Sequence, residues 1–404
     1  MLFVRSLSFS IRAHRASVRR YSLMQSIEPF FKWKIPAAVV GLGVLSAALI
    51  NAYPILKEVK QDVSELLPES IPPALEKARV TTSHAKAKYV SRPDVEAKIN
   101  NYFNSNDNSN YCIIYGAKGV GKTEVVDHTA IGKRAVVKVS VTTVGTRDDL
   151  VALVMEALTG NRTNLNIFKL IEVLIKCNIS GFIPTIIFDV ERASSPDRPA
   201  VLQDVRSLAK ALIGYCRCII VLSEANAVLE FGKDKRREKF IFVDEMTEPE
   251  ARDFLKVRGA TFSDEDMQYV FDSIGTSPVT LIDLMSEIPK IPLQEFVDTV
   301  LSDAYQDFVD FPLKPILKAL KEHPEGVSPD YFKKQEYKGI DMSVPGAVGS
   351  AMKSSNAIIY RIELQKYQLM SAAHRTKLKT YTPIIDSNSF TTTKLVTEES
   401  VTQK

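Results

Sequence analysis

The stretch YCIIYGAKGVGKTEVVDHTA, residues 111–130, decides the fold of this chain. Its first five residues are apolar and rich in β-branched side chains, which predicts a buried strand. The next residues satisfy the pattern G-x-x-x-x-G-K-[ST] at every fixed position, and a helical segment follows from Thr123 to about Ala130. A strand, a glycine loop and a helix in this order predict a phosphate-binding loop, or P-loop.

The residue types in this loop suit a nucleoside triphosphate. Glycines let the backbone wrap so that successive N–H groups face the phosphates, and the N-terminus of the following helix adds positive potential. Lys122 is predicted to neutralise the β- and γ-phosphates, and Thr123 to hold Mg²⁺ through its hydroxyl. The predicted nucleotide contacts in the loop are Gly116, Ala117, Lys118, Gly119, Val120, Gly121, Lys122, Thr123 and Glu124.

Four further strand-like runs follow along the chain, separated by amphipathic helical segments. They are AVVKVS (135–140), TIIFDV (185–190), RCIIVLS (217–223) and KFIFVD (239–244). Near-continuous apolar strands that alternate with helices predict an α/β fold, in which helices cover both faces of a parallel sheet.

Two acidic residues at the end of the third strand are candidates for metal binding and catalysis. Asp189 is predicted to hold the magnesium shell together with Thr123, although a turn or helix-cap role is the alternative. Glu191 shares a face with Asp189 in an extended chain, and it either activates water or is solvated. The candidate catalytic residues are therefore Lys122, Asp189 and Glu191.

Polar residues between the fourth and fifth strands have two interpretations each. Ser223, at the tip of the fourth strand, either senses the γ-phosphate or forms a turn. Arg236 and Arg237 precede the fifth strand and either reach a neighbouring subunit's nucleotide as an arginine finger or belong to a solvated loop.

Three short passages around these strands resemble the STAND and archaeal-type branch of the AAA+-related P-loop ATPases. They are YVSR (89–92), VDEMTEPEA (243–251) and GTSP (275–278). The resemblance implies ATP and Mg²⁺ as cofactors, Arg92 at the border of the adenine, and a helical lid whose Pro278 approaches the nucleotide. Ser91 stands where the family has glycine, and the second glycine of the lid turn is absent.

The N-terminal residues predict a targeting sequence followed by a membrane-spanning segment. Residues 1–21 are rich in arginine and serine and contain no acidic residue, which is typical of a mitochondrial transit peptide. The uncharged segment 35–56 is long enough for a single membrane span. Lysines before the span and acidic residues after it favour a soluble part in the intermembrane space, with the anchor in the mitochondrial inner membrane.

The last part of the chain resembles the winged helix-turn-helix that often follows such lids. Basic residues outnumber acidic ones there, but the third helix offers few side chains for reading bases, so a structural or self-inhibitory role is favoured over nucleic-acid binding. The predicted organisation is a transit peptide (1–21), a transmembrane helix (35–56), a linker (57–85), a P-loop ATPase domain (86–247), a lid (248–311), a winged helix (312–381) and a disordered tail (382–404).

The composition of the chain limits which kinds of protein and site it can form. The chain has 404 residues, 45% of them hydrophobic, and a formal charge of +4, which does not by itself point to nucleic acid. Its four cysteines have no metal-ligand spacing and are too few for a disulfide framework.

The hypotheses for the function are an ATP-dependent switch or remodelling protein, a nucleotide-binding scaffold without turnover, and a winged-helix factor of mitochondrial DNA or RNA. Nucleotide, membrane and a second copy or another protein are the predicted partners.

Overall fold

Five strands form the sheet that carries the glycine loop in the computed structural model. All five predicted strands are confirmed: β1 (Tyr111–Tyr115), β2 (Val136–Ser140), β3 (Thr185–Val190), β4 (Arg217–Leu222) and β5 (Glu238–Phe242). Their order is β2-β3-β4-β1-β5, and each neighbouring pair is parallel. Because β1 lies between β4 and β5, all five of its residues are buried.

The described part of the chain lies within one compact unit, Leu67–Lys404. The structure describes residues 88–105, 107–141, 146–160, 167–179, 183–190, 198–222, 225–231, 237–332, 335–345, 347–348, 357–383, 385 and 390–392. The predicted transit peptide (1–21), transmembrane helix (35–56) and linker (57–85) therefore lie outside the described residues, as does most of the predicted tail. Within the described ranges, no helix combines the length and the apolar character that crossing a membrane requires.

Helices cover both faces of the sheet. Alternate strand residues point to opposite sides, so each strand packs against both helical layers. On one face, Ile114 and Ile187 share an apolar cluster with residues of two helices, α1 (Pro93–Asn104) and α2 (Lys122–Ala130). On the other face, Ile113 and Phe188 share a cluster with three more helices. These are α3 (Arg147–Thr159), α4 (Ile167–Ile179) and α5 (Arg198–Leu212). The parallel sheet, the two helical layers and the loop after β1 are those of a P-loop NTPase fold.

Four helices follow β5 and share an apolar core, and they correspond to the segment predicted as a lid, a name we keep for them. They are α6 (Glu248–Val257), α7 (Asp264–Ile274), α8 (Pro278–Glu287) and α9 (Leu293–Asp310). The chain enters α6 through a capping box, in which Thr247 accepts from the Glu250 N–H and the Glu250 carboxylate accepts from the Thr247 N–H. These two bonds satisfy free donors at the helix start and fix where the lid begins.

A C-terminal module follows the lid and has a separate core. It contains α10 (Lys314–Glu322), β6 (Gln335–Tyr337), β7 (Ile340–Asp341), β8 (Ile358–Arg361), β9 (Lys366–Leu369), α11 (Ala372–Thr380) and β10 (Phe390–Thr392). Strands β8 and β9 pair as an antiparallel hairpin. The predicted third helix, from Pro345 to about Ser355, lies mostly outside the described residues, so the winged helix stays a prediction.

The β8–β9 hairpin packs directly on the sheet beside the glycine loop. Ile359 belongs to the same apolar cluster as Tyr115. The Tyr115 hydroxyl donates to the Glu363 carboxylate and accepts the Ile362 N–H at 3.1 Å. The Arg361 guanidinium lies 3.5 Å from the centroid of the Phe242 ring. The hairpin thus contacts the residue that immediately precedes the loop.

Candidate nucleotide-binding site

The loop between β1 and α2 has the geometry of a phosphate cradle. Its backbone passes so close to β5 that a Cβ on Gly116 would lie 2.1 Å from the Val243 carbonyl oxygen. Gly119 and Gly121 both have a φ of +84°, a conformation that side chains with a Cβ rarely adopt. Helix α2 begins at Lys122, so the N–H groups of its first turn lie at the end of the loop, where a helix N-terminus favours an anion.

Lys122 lies inside the cradle. It is 6% exposed, and its Nζ donates to the carbonyl oxygens of Ala117 at 2.7 Å and Gly116 at 3.1 Å. Burial lowers the pKa of this lysine to about 8, and the nearby Asp189 carboxylate opposes that shift. An anionic group in the cradle would find this ammonium among the N–H donors, which is the arrangement that a triphosphate requires.

The predicted magnesium ligands lie next to each other. Thr123 Oγ1 is 3.4 Å from Asp189 Oδ1, because β3 ends beside the start of α2. A hydroxyl and a carboxylate are the hard oxygen donors that Mg²⁺ prefers, and the phosphates and water complete its shell in sites of this kind. These two residues therefore fit a magnesium ion that arrives with the nucleotide.

Two residues that the sequence reasoning missed complete this side of the site. Lys138 of β2 places its Nζ 2.9 Å from Asp189 Oδ2 and 2.8 Å from the Oδ2 atom of Asp127. The sequence did contain a signal that could have found Lys138: it is a lysine within the apolar run AVVKVS, and unpaired charges are rarely buried in strands.

A cavity of about 410 Å³ adjoins the cradle between the sheet and the lid. Its wall away from the loop is largely apolar, which suits a base better than a phosphate. The Tyr89 ring stacks on His128 at a centroid distance of 3.7 Å, and its hydroxyl donates to Glu96. The lining outside the loop consists of Lys88, Tyr89, Val90, Arg92, Met246, Phe254, Arg258, Pro278, Val279 and Ile282.

The lid touches the loop through the first turn of α8. The Val279 N–H donates to the Gly119 carbonyl oxygen at 3.3 Å. A Cβ on Gly119 would lie 2.8 Å from the Val279 Cβ, and one on Gly121 would lie 3.8 Å from Pro278. Pro278 therefore lies at the glycine loop and lines the cavity.

Arg92 lines the cavity, but its hydrogen bonds run to the backbone. Its Nη1 donates to the Val120 carbonyl oxygen at 2.8 Å, and its Nη2 donates to those of Asp244 and Glu245 at 2.8 and 3.0 Å. Arg92 thus ties the chain before α1 to the loop and to the start of the lid. Its contact with an adenine stays a prediction.

Glu245 lies where the sheet, the lid and the C-terminal module meet. Its carboxylate lies 3.5 Å from Arg375 Nη2, and the backbone N–H groups of Thr276 and Ala372 act with Arg375 to lower its pKa. Burial raises the pKa of Glu245 to about 7, although Arg375 acts in the opposite direction. The three parts of the molecule therefore share one buried carboxyl group.

Several predicted site residues lie outside the described residues. These are Glu191, Ser223 and Arg236. Arg237 is described directly before β5, where its carbonyl oxygen accepts the Tyr111 N–H at 2.9 Å. The roles of water activator, γ-phosphate sensor and arginine finger therefore stay predictions.

No family model and no curated protein sequence matches this chain. Among solved structures, it is similar to the Walker-type ATPase PABY2304 of Pyrococcus abyssi, with 13% identity and a TM-score of 0.47 over 75% of this chain and 99% of that one. It is also similar to a STAND protein with a tetratricopeptide-repeat sensor from Pyrococcus horikoshii, with 15% identity and a TM-score of 0.38 over 75% of this chain and 44% of that one.

A third similar structure is the ORC1 protein of Aeropyrum pernix, solved in complex with DNA. Here the identity is 14% and the TM-score 0.36, over 74% of this chain and 95% of that one. These similarities are too distant to assign a ligand or a partner to this chain. A ligand is therefore inferred from the geometry of its own phosphate cradle.

Proposed function

We propose that this chain binds ATP with Mg²⁺ between its sheet and its lid and acts as an ATP-dependent conformational switch. The observation that carries this proposal is the direct contact between the phosphate loop and the lid. The Val279 N–H binds the Gly119 carbonyl at 3.3 Å, so a change in the loop backbone reaches α8 without an intermediate residue. Occupancy of the loop and position of the lid are therefore coupled.

Each part of the site has a defined task in this proposal. The backbone N–H groups of residues 116–122 and the Lys122 ammonium hold the phosphates. Thr123 and Asp189 hold the metal ion, and the apolar wall with Tyr89 and Phe254 receives the base. Bound ATP supplies the triphosphate charge that these donors are arranged to meet.

Lys122 gives the switch a physical mechanism. Its ammonium donates to the carbonyls of Gly116 and Ala117 within the loop itself. Phosphate oxygens are stronger acceptors than these carbonyls, so the ammonium is expected to change partners when nucleotide binds. The loop backbone then loses two internal bonds, and the contact between Gly119 and Val279 transmits the change to the lid.

Hydrolysis and binding are separated by one experiment on the full-length chain. ATP affinity and ATP turnover are compared between the wild type, Lys122→Ala and Glu191→Gln. Lys118→Ala is the matched control, because it removes an exposed lysine side chain from the same loop and keeps the backbone N–H. The switch predicts that Lys122→Ala weakens binding by about 100-fold or more, whereas Glu191→Gln keeps binding and loses turnover.

The outcomes distinguish the hypotheses. Binding without turnover in the wild type would favour a nucleotide-binding scaffold over a switch driven by hydrolysis. Equal affinity in the wild type and Lys122→Ala would contradict the proposed site. An effect of Lys118→Ala as large as that of Lys122→Ala would attribute the loss to general loop charge.

We further propose that segment 35–56 anchors the chain in the mitochondrial inner membrane with residues 57–404 in the intermembrane space. The support is the arginine-rich, acid-free residues 1–21 and the charge difference across the uncharged segment. Protease added to mitochondria with a ruptured outer membrane is expected to degrade the C-terminal part. Protection of that part would place it in the matrix, the orientation that the nucleic-acid hypothesis requires.

A further inference from the structure

Lys138 is the charged residue of β2 that lies on the phosphate-loop side of the sheet. Val136, two residues earlier, packs in the cluster that includes α2, so Lys138 points to the same face. Ser140, two residues later, pairs in register with Asp189 of the adjacent strand β3. This alternation brings the lysine and the predicted metal ligand together across neighbouring strands.

The lysine bridges two carboxylates from different elements. Its Nζ lies 2.9 Å from Asp189 Oδ2 on β3 and 2.8 Å from Asp127 Oδ2 on α2. Asp127 follows Thr123 by four residues, so both lie on the same side of the helix. The side chains of Asp189 and Asp127 are 6% and 17% exposed, and that of Lys138 is 26% exposed.

This bridge divides the two oxygens of Asp189 between two tasks. Oδ2 is held by Lys138, and Oδ1 faces Thr123 at 3.4 Å. A carboxylate held in this way offers a metal shell one oxygen in a fixed orientation. It also offers less negative potential, because a permanent cation lies on its other side.

We propose that Lys138 is a positioning residue that sets how strongly nucleotide binding depends on magnesium. This inference rests on the proposed ATP site. Lys138 orients Asp189 and offsets part of its charge, which weakens the attraction of the site for a divalent cation. Asp127 controls the strength of that effect, since it draws the same ammonium away from Asp189.

The two partners therefore have opposite effects. Lys138→Met leaves two acidic side chains near the metal position without their cation, so the metal is expected to contribute more to nucleotide binding. Asp127→Asn leaves the ammonium to Asp189 alone, so the metal is expected to contribute less. A bridge that merely joins β2 to α2 would lower stability in both variants and would leave the metal dependence unchanged.

The test measures the Kd of ADP on the full-length chain by calorimetry, once with excess MgCl₂ and once with excess EDTA. ADP is used because turnover cannot disturb the equilibrium. The measured quantity is the ratio of the Kd in EDTA to the Kd in MgCl₂. We expect Lys138→Met to raise this ratio about tenfold and Asp127→Asn to lower it, with Lys138→Arg close to the wild type.

A second readout uses Mn²⁺ as a paramagnetic probe of the same position. Its affinity in the presence of ADP is expected to rise in Lys138→Met and to fall in Asp127→Asn. Lys290→Met, an exposed lysine of the lid, is the matched control and should change neither quantity.

Each remaining outcome counts against the inference. Equal ratios in the wild type and Lys138→Met, or shifts of the same sign in both variants, would overturn it while nucleotide still binds. If Lys138→Met does not fold, an unchanged ratio in Asp127→Asn overturns it by itself. A wild type that binds ADP in neither buffer refutes the proposed function and the inference together.

Discussion

Strand β1 has neighbours of two different origins. On one face, it packs with α2, the helix that begins seven residues after it at Lys122. On the other face, its last residue, Tyr115, bonds to Glu363 of the C-terminal hairpin, 248 residues further along the chain. The first contact is local and follows from one motif, whereas the second exists only once the whole described chain has folded.

The difference separates the phosphate cradle from a long-range contact beside it. The phosphate cradle is made of backbone and glycines, and Gly119 and Gly121 both have a φ of +84°. The hairpin contact is made of side chains, and it ends on the residue directly before Gly116. The hairpin therefore contacts the strand that carries the loop, whereas a bound nucleotide would contact the loop itself.

The largest expected effect comes from removing the side chain that joins β1 to the C-terminal hairpin. Tyr115 is fully buried, so Tyr115→Ala is expected to lower the free energy of unfolding by about 4 kcal/mol through lost contacts and an unfilled cavity. Tyr115→Phe removes only the hydroxyl and is expected to cost about 1–2 kcal/mol. Denaturant unfolding of the full-length chain measures both values.

A second tyrosine provides the matched control for this effect. Tyr111 is equally buried, and its hydroxyl donates to the Glu238 carboxylate at 2.6 Å inside the sheet. Tyr115→Phe should increase hydrogen exchange in residues 357–370, whereas Tyr111→Phe should not. Equal exchange in the two variants would mean that the hairpin does not depend on Tyr115.

The next effect concerns the contact between loop and lid. Gly119→Val adds a Cβ at 2.8 Å from the Val279 Cβ in a residue with a φ of +84°. Either the loop or α8 must move, so we expect the affinity for ATP to fall by about 100-fold. Isothermal calorimetry on the full-length chain measures this change.

Gly160→Val separates backbone strain from the lid contact. Gly160 has a φ of +78° at the end of α3, and nothing lies within 4 Å of its added Cβ. This variant should lose stability and keep the wild-type affinity for ATP. A comparable loss of affinity in both glycine variants would show that strain alone weakens binding.

The contrast between local and long-range contacts also explains which features could be predicted from the sequence. The five strands and the cradle follow from apolar periodicity and one spaced motif, and the approach of Asp189 to Thr123 follows because parallel strands end at a common edge. Lys138 was missed because its partner depends on the register of β2 against β3, which no local pattern determines.

Contacts between distant segments were also beyond prediction. The pairing of Tyr115 with Glu363 and the bonds from Arg92 to the backbone of Val120 require tertiary packing that the sequence does not encode locally. Resemblance to a family placed Arg92 at the border of the adenine, which stays a prediction, and no local pattern indicated that its Nη1 and Nη2 groups donate to backbone carbonyl oxygens.

The smallest expected effect concerns Glu245, the carboxyl group that the sheet, lid and C-terminal module share. Its pKa of about 7 in the folded chain exceeds the ordinary value of 4.5, so the folded state holds this proton more tightly than the unfolded state. The free energy of unfolding therefore decreases as the pH rises from 4.5 to 7, and the loss is complete above that range. Glu245→Gln cannot ionise and should lack this dependence.

The measurement is urea unfolding of the wild type and Glu245→Gln across this range at constant ionic strength. Between about pH 5 and pH 8, the stability of the variant relative to the wild type should rise by about 2 kcal/mol. Arg375→Met is the companion variant: it removes the charge that lowers the pKa of Glu245, so it should extend the decrease in stability to higher pH. Parallel pH profiles for the wild type and Glu245→Gln would mean that Glu245 keeps an ordinary pKa, and that the three parts meet at a carboxylate that stays charged.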